Sequence, residues 1–313
     1  MSQAIVIEEL RKSFGKTVAL AGVNLAVPAG IVYGLLGPNG AGKTTVVRIL
    51  ATLLRADAGR AFVDSHDVAR QGDSVRRVIG LTGQYAALDE ALTGRENLVL
   101  IGRLLGLRAP DAKRRAAELI EQVGLTESAD RSVRTYSGGM RRRVDLAASL
   151  VGRPRVLFLD EPTTGLDPAS RLALWELIGA TVRDGATVLL TSQYLEEVDR
   201  LASRIAVLDH GRVLAEGTPG ELKARAGGQV VAVRVVAERV GHAMSALAPM
   251  GHVRRELDEV TVPAHGETGL TEAMRRLADA GIVVDEIALR RPTLDEVFLN
   301  LTNGGGKQDA AAA

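Results

Sequence analysis

The sequence predicts an α/β fold, a largely parallel sheet interleaved with helices, followed by a smaller α+β unit. Three observations carry this reading. Compact apolar, β-rich runs stand at 155–160 ("RVLFLD"), 186–192 ("ATVLLTS") and 204–209 ("RIAVLD"), divided by helix-length intervals, as a parallel sheet buried on both faces requires. Apolar residues recur at helical spacing from 41 to 54 (Val46, Ile49, Leu50, Leu53, Leu54), through 95–106 and through 111–123. After Gly217-Thr218-Pro219-Gly220 the pattern changes, placing a boundary near residue 220.

In chain order, residues 3 to 36 read as short strands ("AIVIEEL", "VNLAV", "IVYGLL") punctuated by Pro28-Ala29-Gly30. The middle of the chain is helical, and the three runs above complete the sheet. Beyond 220 the order is strand 229–236, helix 238–247, hairpin 252–263, helix 268–280, strand 282–290 and helix 293–301, a βαββαβα succession of ferredoxin-like type. The tail "NGGGKQDAAAA" has too little apolar surface to order itself, so residues 304–313 are expected to be disordered.

Composition narrows the function classes. A chain of 313 residues with 46% apolar side chains can build two cores, and the absence of cysteine excludes disulfides and thiolate chemistry and agrees with a reducing compartment. A formal charge of +1, from 39 basic and 38 acidic residues, gives no field to gather nucleic acid or anionic lipid. The run "RRR" at 141–143 stands on the first turns of an amphipathic helix with stripe Met140, Val144, Ala147, Ala148 and Val151, and is read as a solvated basic face rather than a nucleic-acid site. "MSQAIVIEELRKSFG" lacks the charged-then-apolar order of a signal peptide, and no apolar run approaches the roughly 20 residues of a bilayer crossing.

"GLLGPNGAGKTT" fits G-x-x-x-x-G-K-[ST] from Gly37 to Thr44, directly after an apolar strand and before a helical pattern. Its glycines let backbone N–H groups turn around phosphate oxygens, Lys43 reaches the β and γ phosphates, and the Thr44 hydroxyl suits Mg²⁺. An ordinary Gly-rich turn lacks both flanking contexts. "RVLFLDEP" supplies the second element: an apolar strand ending in two carboxylates, Asp160 to hold Mg²⁺ through water and Glu161 to polarise the attacking water. Alone, the same run would read equally well as a strand closed by solvated acids.

"YSGGM" at 136–140 sets two glycines at the head of a helix, and with it the sequence resembles the ATP-binding cassette family, whose equivalent motif binds the γ-phosphate of ATP held by the other subunit. Ser137 is suited to cap the helix or bond a phosphate oxygen, and Gly138 and Gly139 leave backbone donors bare. The serine stands 94 residues after Lys43 and 23 before Asp160, the order the family uses.

The resemblance implies a P-loop NTPase (ABC ATPase) fold: a RecA-like core, an antiparallel β subdomain and a helical subdomain at about 85–150, all within 1–220, then an α+β accessory domain at 221–303. It implies ATP and Mg²⁺ as cofactors, with Gly37, Pro38, Asn39, Gly40, Ala41, Gly42, Lys43, Thr44 and Thr45 around the phosphates. Phe14 of "RKSFGK" resembles the adenine-stacking aromatic, a contact worth about 1–3 kcal/mol by analogy with base stacking, and would otherwise be a core or hairpin residue. Gln84 of "LTGQYAAL" resembles the Q-loop glutamine that touches Mg²⁺ or the lytic water, and Asp167 of "TTGLDP" the residue that reaches across the dimer.

Two departures stand out. Tyr136 and Met140 replace the usual leucine and glutamine of the signature, and Gln193 of "TSQYLEEVD" replaces the usual switch histidine, so it can hydrogen-bond to the γ-phosphate but carries no imidazolium charge. "LTGQYAALDEALTGRENL", "YSGGMRRR", "TSQYLEEVD" and "RRPTLDEVFLNLT" together resemble the daunorubicin-resistance type of drug-export ATPase. That implies a homodimer at the cytoplasmic face of the membrane, bound to an integral-membrane permease and exporting an amphipathic drug or lipid-like product, with no nucleic-acid partner. In that type "LDEVF" is implicated in dimer or permease contacts, although Leu294, Val297 and Phe298 equally suit a local core. The alternatives are a nucleotide-gated module with little hydrolysis, which Gln193 permits, and a non-transport cassette ATPase. Against the latter, 85–135 has no room for a repair-type coiled coil, and translation types normally carry two cassettes.

Overall fold

A computed structural model describes residues 2–83, 88–225, 229–256, 258–264 and 266–290, together with Thr293, Leu294 and Val297. The chain forms two compact units, which meet in sequence between Glu216 and Gly217.

The first unit holds two sheets. β1 (Gln3–Phe14) and β2 (Thr17–Pro28) form a long hairpin, and β1 also pairs antiparallel with β4 (Ala58–Val63), beside which lies β5 (His66–Asp67). The second sheet runs in the order β10-β9-β3-β8-β7-β6. Its members are β3 (Val32–Leu36), β6 (Ile79–Thr82), β7 (Val156–Asp160), β8 (Thr187–Ser192), β9 (Arg204–Asp209) and β10 (Arg212–Gly217). β9, β3, β8, β7 and β6 pair parallel. Every residue of β3, β7 and β8 is buried, which is why these strands read as continuous apolar runs rather than alternating ones.

The helices are α1 (Lys43–Leu50), α2 (Gly72–Val78), α3 (Gly94–Leu104), α4 (Ala109–Gln122), α5 (Gly138–Leu150), α6 (Pro168–Arg183) and α7 (Leu195–Leu201). The helical pattern expected over 41–54 is realised only to Leu50. Thr52 takes a left-handed φ of 63°, which ends the helix, and Leu53 is left exposed. α3 starts on a full capping box, in which Thr93 accepts from Glu96 N and the Glu96 carboxylate accepts from Thr93 N.

Strand order positions the site. β3 lies between β8 and β9, and register sets Leu36 level with Ser192 and Asp160 level with Thr191. The loops leaving the C-terminal ends of β3, β7 and β8 therefore gather at one edge, where α/β sheets place their ligands.

The second unit contains α8 (Pro219–Arg225), β11 (Gln229–Arg234), α9 (Val240–Leu247), β12 (Arg254–Glu256), β13 (Glu259–Ala264), α10 (Gly266–Asp279) and β14 (Glu286–Arg290). All strand pairs are antiparallel, in the order β12-β13-β11-β14. Val231 and Val233 of β11 and Val260 and Val262 of β13 pack with Val240, Ala243 and Leu247 of α9 and Ala273 and Leu277 of α10. This is the split arrangement the βαββαβ order predicts. Leu294 and Val297 are buried; Phe298 lies outside the described residues.

Candidate functional site

Two glycines of the loop between β3 and α1, Gly37 and Gly42, have no room for anything larger. A Cβ on Gly37 would sit 2.2 Å from the Leu208 carbonyl oxygen of β9, and one on Gly42, at φ 106°, would sit 2.6 Å from the Ala19 carbonyl oxygen. Gly42 also occupies the N-cap of α1, and no side chain caps the helix. The first N–H groups of α1 are thus left for an external acceptor, and the helix dipole favours an anion there.

Beside this loop lies a cleft of about 500 Å³ lined by Phe14, Ala19, Pro38, Asn39, Gly40, Gly42, Lys43, Thr44, Thr45 and Glu161. Phe14 is half exposed where it lines the cleft, with Lys12 Nζ 5.6 Å from its ring centroid. Ala41 is buried, packs toward Gly37 and is not among the lining residues. Lys43 is buried to 4% exposure and donates to the carbonyls of Gly37 (2.6 Å) and Pro38 (3.1 Å), with Glu161 Oε1 at 3.6 Å. Burial lowers its pKa, and the Glu161 and Asp160 carboxylates pull it partly back.

The Asp160 carboxylate and the Glu161 backbone are both held by a residue that sequence reasoning did not single out. Thr191 Oγ1 donates to Asp160 Oδ1 (2.6 Å) and accepts from Glu161 N (3.1 Å), while Thr44 Oγ1 donates to the same Asp160 oxygen (3.2 Å). Glu161 takes φ 49°, a left-handed conformation uncommon in a non-glycine residue. The signal for Thr191 was a hydroxyl at the end of an otherwise apolar strand, level with Asp160. Among the described residues no group of three or more His, Cys, Asp or Glu side chains is gathered for a metal. The paired oxygens of Thr44 and Asp160 nevertheless suit Mg²⁺, which is commonly held by one or two carboxylates, phosphates and water.

Gln193 lies half-buried at the bend after β8 and does not line the cleft. Ser192 Oγ accepts from Tyr194 N at 2.9 Å, a serine turn that fixes the backbone across Gln193. Gln84 lies outside the described residues.

Behind the bend, Glu197 of α7 is 1% exposed and accepts from Trp175 Nε1 of α6 at 3.2 Å. Burial raises its pKa, against the opposing pull of the bond from Trp175 and of the nearby Ser192, Thr163 and Arg171 side chains. A raised carboxyl pKa means that its favourable contribution is full at pH values below the unfolded-chain pKa and is lost as pH rises through the folded one. Glu197→Gln keeps the acceptor for Trp175 and removes the charge. At pH 7 it is expected to stabilise the protein by about 1 kcal/mol, roughly 2–4 °C in Tm. Thermal melts of both forms from pH 7 down to 4.5 check this: the gap should close at the acid end, and a gap independent of pH would contradict it.

The signature segment lies at the head of α5. Ser137 is its N-cap, its Oγ accepting from Met140 N at 3.3 Å. Tyr136 is buried and donates to the Ser128 carbonyl at 2.6 Å, and its phenol takes the space a side chain at Gly94 would need, 2.5 Å from that Cβ position. Gly138 and Gly139 differ sharply. No atom lies within 4 Å of a Cβ on Gly138, whereas one on Gly139 would lie 2.2 Å from Ser170 Oγ and 2.9 Å from Ser170 Cβ. Ser170 N and Oγ donate to Asp167, the N-cap of α6, at 2.9 and 2.6 Å, and these bonds lower the Asp167 pKa. Gly139 is therefore required within the chain, while Gly138 is open to the outside.

The arginine run is not a solvated face. Arg141, Arg142 and Arg143 are each partly buried, and α5 is buried beyond the expected stripe, with Asp145, Leu146 and Leu150 also inside. Arg141 donates to Glu90 and to the Arg134 carbonyl, Arg143 to the Val123 and Gly124 carbonyls, and Arg142 to the Pro162, Gly83 and Asp160 carbonyls. The expected stripe holds, with Val144, Ala147, Ala148 and Val151 buried; the solvated-face reading fails because long guanidinium stems can lie along apolar surface while their heads close neighbouring loops.

The ABC transporter family pattern matches residues 20–164. The chain is 55% identical over 306 residues to the daunorubicin resistance ATP-binding protein DrrA2 of Streptomyces coeruleorubidus, covering 96% of this chain and 95% of that protein. It is 51% identical over 307 residues to the daunorubicin/doxorubicin resistance ATP-binding protein DrrA of Streptomyces peucetius, covering 96% and 93%. Among solved structures it is similar to the ATP-binding cassette MJ0796, described as dimeric in a post-hydrolysis state bound to ADP and Pi. That match has a TM-score of 0.63 and 26% identity and covers 68% of this chain and 98% of that one.

Proposed function

The chain belongs to the ABC transporter family as an ATP-binding cassette protein, and from that premise we propose that it powers export of an amphipathic drug, antibiotic or lipid-like product through a separate membrane permease. The observation that carries the nucleotide-driven part of this reading is the cleft beside the P-loop, where a half-exposed aromatic ring, a glycine cradle, a buried lysine and Glu161 line one space of nucleotide size. The names of the relatives supply the drug class.

In this reading residues 1–220 form the cassette, with a helical subdomain at about 85–150, and 221–303 an accessory domain. Phe14 stacks on adenine; Gly37 to Thr45 surround the phosphates, with Lys43 on the β and γ groups. Thr44, Gln84 and Asp160 hold Mg²⁺, which when bound neutralises charge on the phosphate oxygens. Glu161 polarises the attacking water and Gln193 bonds the γ-phosphate as a neutral donor. Two chains pair at the cytoplasmic face of the membrane, and each offers Ser137, Gly138, Gly139 and Asp167 to the nucleotide held by the other. ATP then shifts the population from open to closed pairs, and closure moves the permease.

The contrast between the two signature glycines tests this arrangement. Gly138→Ala meets no atom of its own chain and should leave Tm unchanged or slightly raised, yet lower ATP turnover more than 10-fold by obstructing the partner's nucleotide. Gly139→Ala should cost about 1–3 kcal/mol through its clash with Ser170. Melting curves and phosphate release on both variants decide the matter. Normal turnover in Gly138→Ala would remove the shared-site reading.

A further inference from the structure

Arg142 gives the arginine run a second role. Its side chain is 14% exposed, and its fork is spent on backbone carbonyls: Nε donates to Pro162 O at 2.7 Å, Nη1 to Gly83 O at 2.7 Å and Nη2 to Asp160 O at 3.3 Å. Asp145 Oδ2, one turn along α5, lies 3.4 Å from Nη1. Asp160 and Pro162 are the two neighbours of Glu161, so a single guanidinium brackets that residue's backbone from both sides. The bracketed residue is the one held at φ 49°. A strained conformation persists only where its surroundings over-determine it. On the β8 side, the Thr191 carbonyl and hydroxyl accept from Glu161 N, each at 3.1 Å; Arg142 fixes the opposite side.

From this bracketing we infer that Arg142 is a positioning residue, coupling the helix that starts at Gly138 to the orientation of the Glu161 carboxylate. Arg142 lies on the first turn and a half of α5, so a displacement of that helix head is passed to the Glu161 turn through short, directional bonds. The third bond, to Gly83 at the end of β6, anchors the same fork to the sheet. Burial lowers the guanidinium pKa, against the opposing pull of Asp145, Asp160 and Glu197, so the group is held charged in a costly setting that its bonds must offset. Arginine suits this role better than lysine, because a planar fork serves several fixed acceptors at once and an ammonium is a point charge.

The inference rests on the proposed role of Glu161, and its test separates the two. Phosphate release, ATP affinity and Tm are measured on the full-length chain and on Arg142→Gln, Arg142→Lys, Arg143→Gln and Glu161→Gln. Arg143 is the control, since its bonds run to the Val123 and Gly124 carbonyls and not to the turn. We expect Arg142→Gln to lower kcat 10- to 100-fold, as misplacement of a catalytic group by about 1 Å does, with KM for ATP within about 3-fold of the parent. Arg142→Lys should recover little of the loss, and Arg143→Gln should keep normal kcat. Unchanged kcat in Arg142→Gln, or equal losses in Arg142→Gln and Arg143→Gln in step with Tm, would overturn the inference. Should Arg142→Gln fail to fold, Arg142→Lys decides alone, and full activity there overturns it. Hydrolysis persisting in Glu161→Gln would instead overturn the role of Glu161 itself.

Discussion

Replacing Glu161 by glutamine is expected to lower ATP turnover by about 10²- to 10⁴-fold, the span that a positioned general base contributes, while ATP binding is retained. The reason is local. The substituted residue would keep the backbone bonds to Thr191 and the shape of the turn, but its amide cannot accept a proton from water. Glu161 lines the P-loop cleft and also a second cleft with Gly138, Thr164 and Leu166, so its loss should interrupt chemistry without dismantling either wall. In the proposed dimer the variant should accumulate as ATP-bound closed pairs. Size-exclusion chromatography with Mg-ATP, run beside a phosphate-release assay, reads both effects. A monomer with lost turnover would keep the chemistry and remove the dimer, whereas normal turnover would remove Glu161 from the mechanism.

Gly37→Ala is the second large effect, and it acts through the fold. The added methyl would stand 2.2 Å from the Leu208 carbonyl oxygen and 3.1 Å from Ala41 Cβ, just past the end of β3 and against β9, whose backbone is tied into the parallel sheet. Overpacking of this kind costs about 1–3 kcal/mol or more, and relief requires the loop to lift away from β9. Lys43 would then lose the Gly37 carbonyl that holds its ammonium at 2.6 Å. Loss of measurable nucleotide binding, together with a Tm several degrees lower, is the expected result. Gly40→Ala offers the matched comparison: no atom lies within 4 Å of its Cβ, so its effect comes from the left-handed φ of 84° and from the cleft alone. Equal Tm in Gly37→Ala and the parent protein would show that the β9 contact does not set the loop.

The parts of the fold that the sequence makes legible are those where one physical demand dominates. β3, β7 and β8 are buried on both faces and must be apolar throughout, and the phosphate loop must be rich in glycine. β4, β5, α2 and β6 gave no such signal. β4 buries only alternate positions near its end, β5 has two residues, and β6 has four. β4 is settled by its pairing with β1 and β6 by its pairing with β7, partners more than forty residues away. At the site, Lys43, Thr44, Asp160 and Glu161 follow from spacing and residue type. Thr191, Glu197 and Arg142 do not, because their roles arise from where other strands and helices end. Gly138 and Gly139 look alike as letters, and only the approach of Ser170 tells them apart.

The packing of Tyr136 against Gly94 links positions that are forty-two residues apart in the chain. A leucine transplanted to 136 would forfeit the phenol's bond to Ser128 and leave a hollow above the first turn of α3, while a larger residue at 94 would be intolerable as long as the tyrosine remains. Geometry therefore fixes the order in which the two positions can change: the tyrosine can be given up first at the cost of a bond and a hollow, whereas a side chain at 94 is admitted only once the phenol has gone.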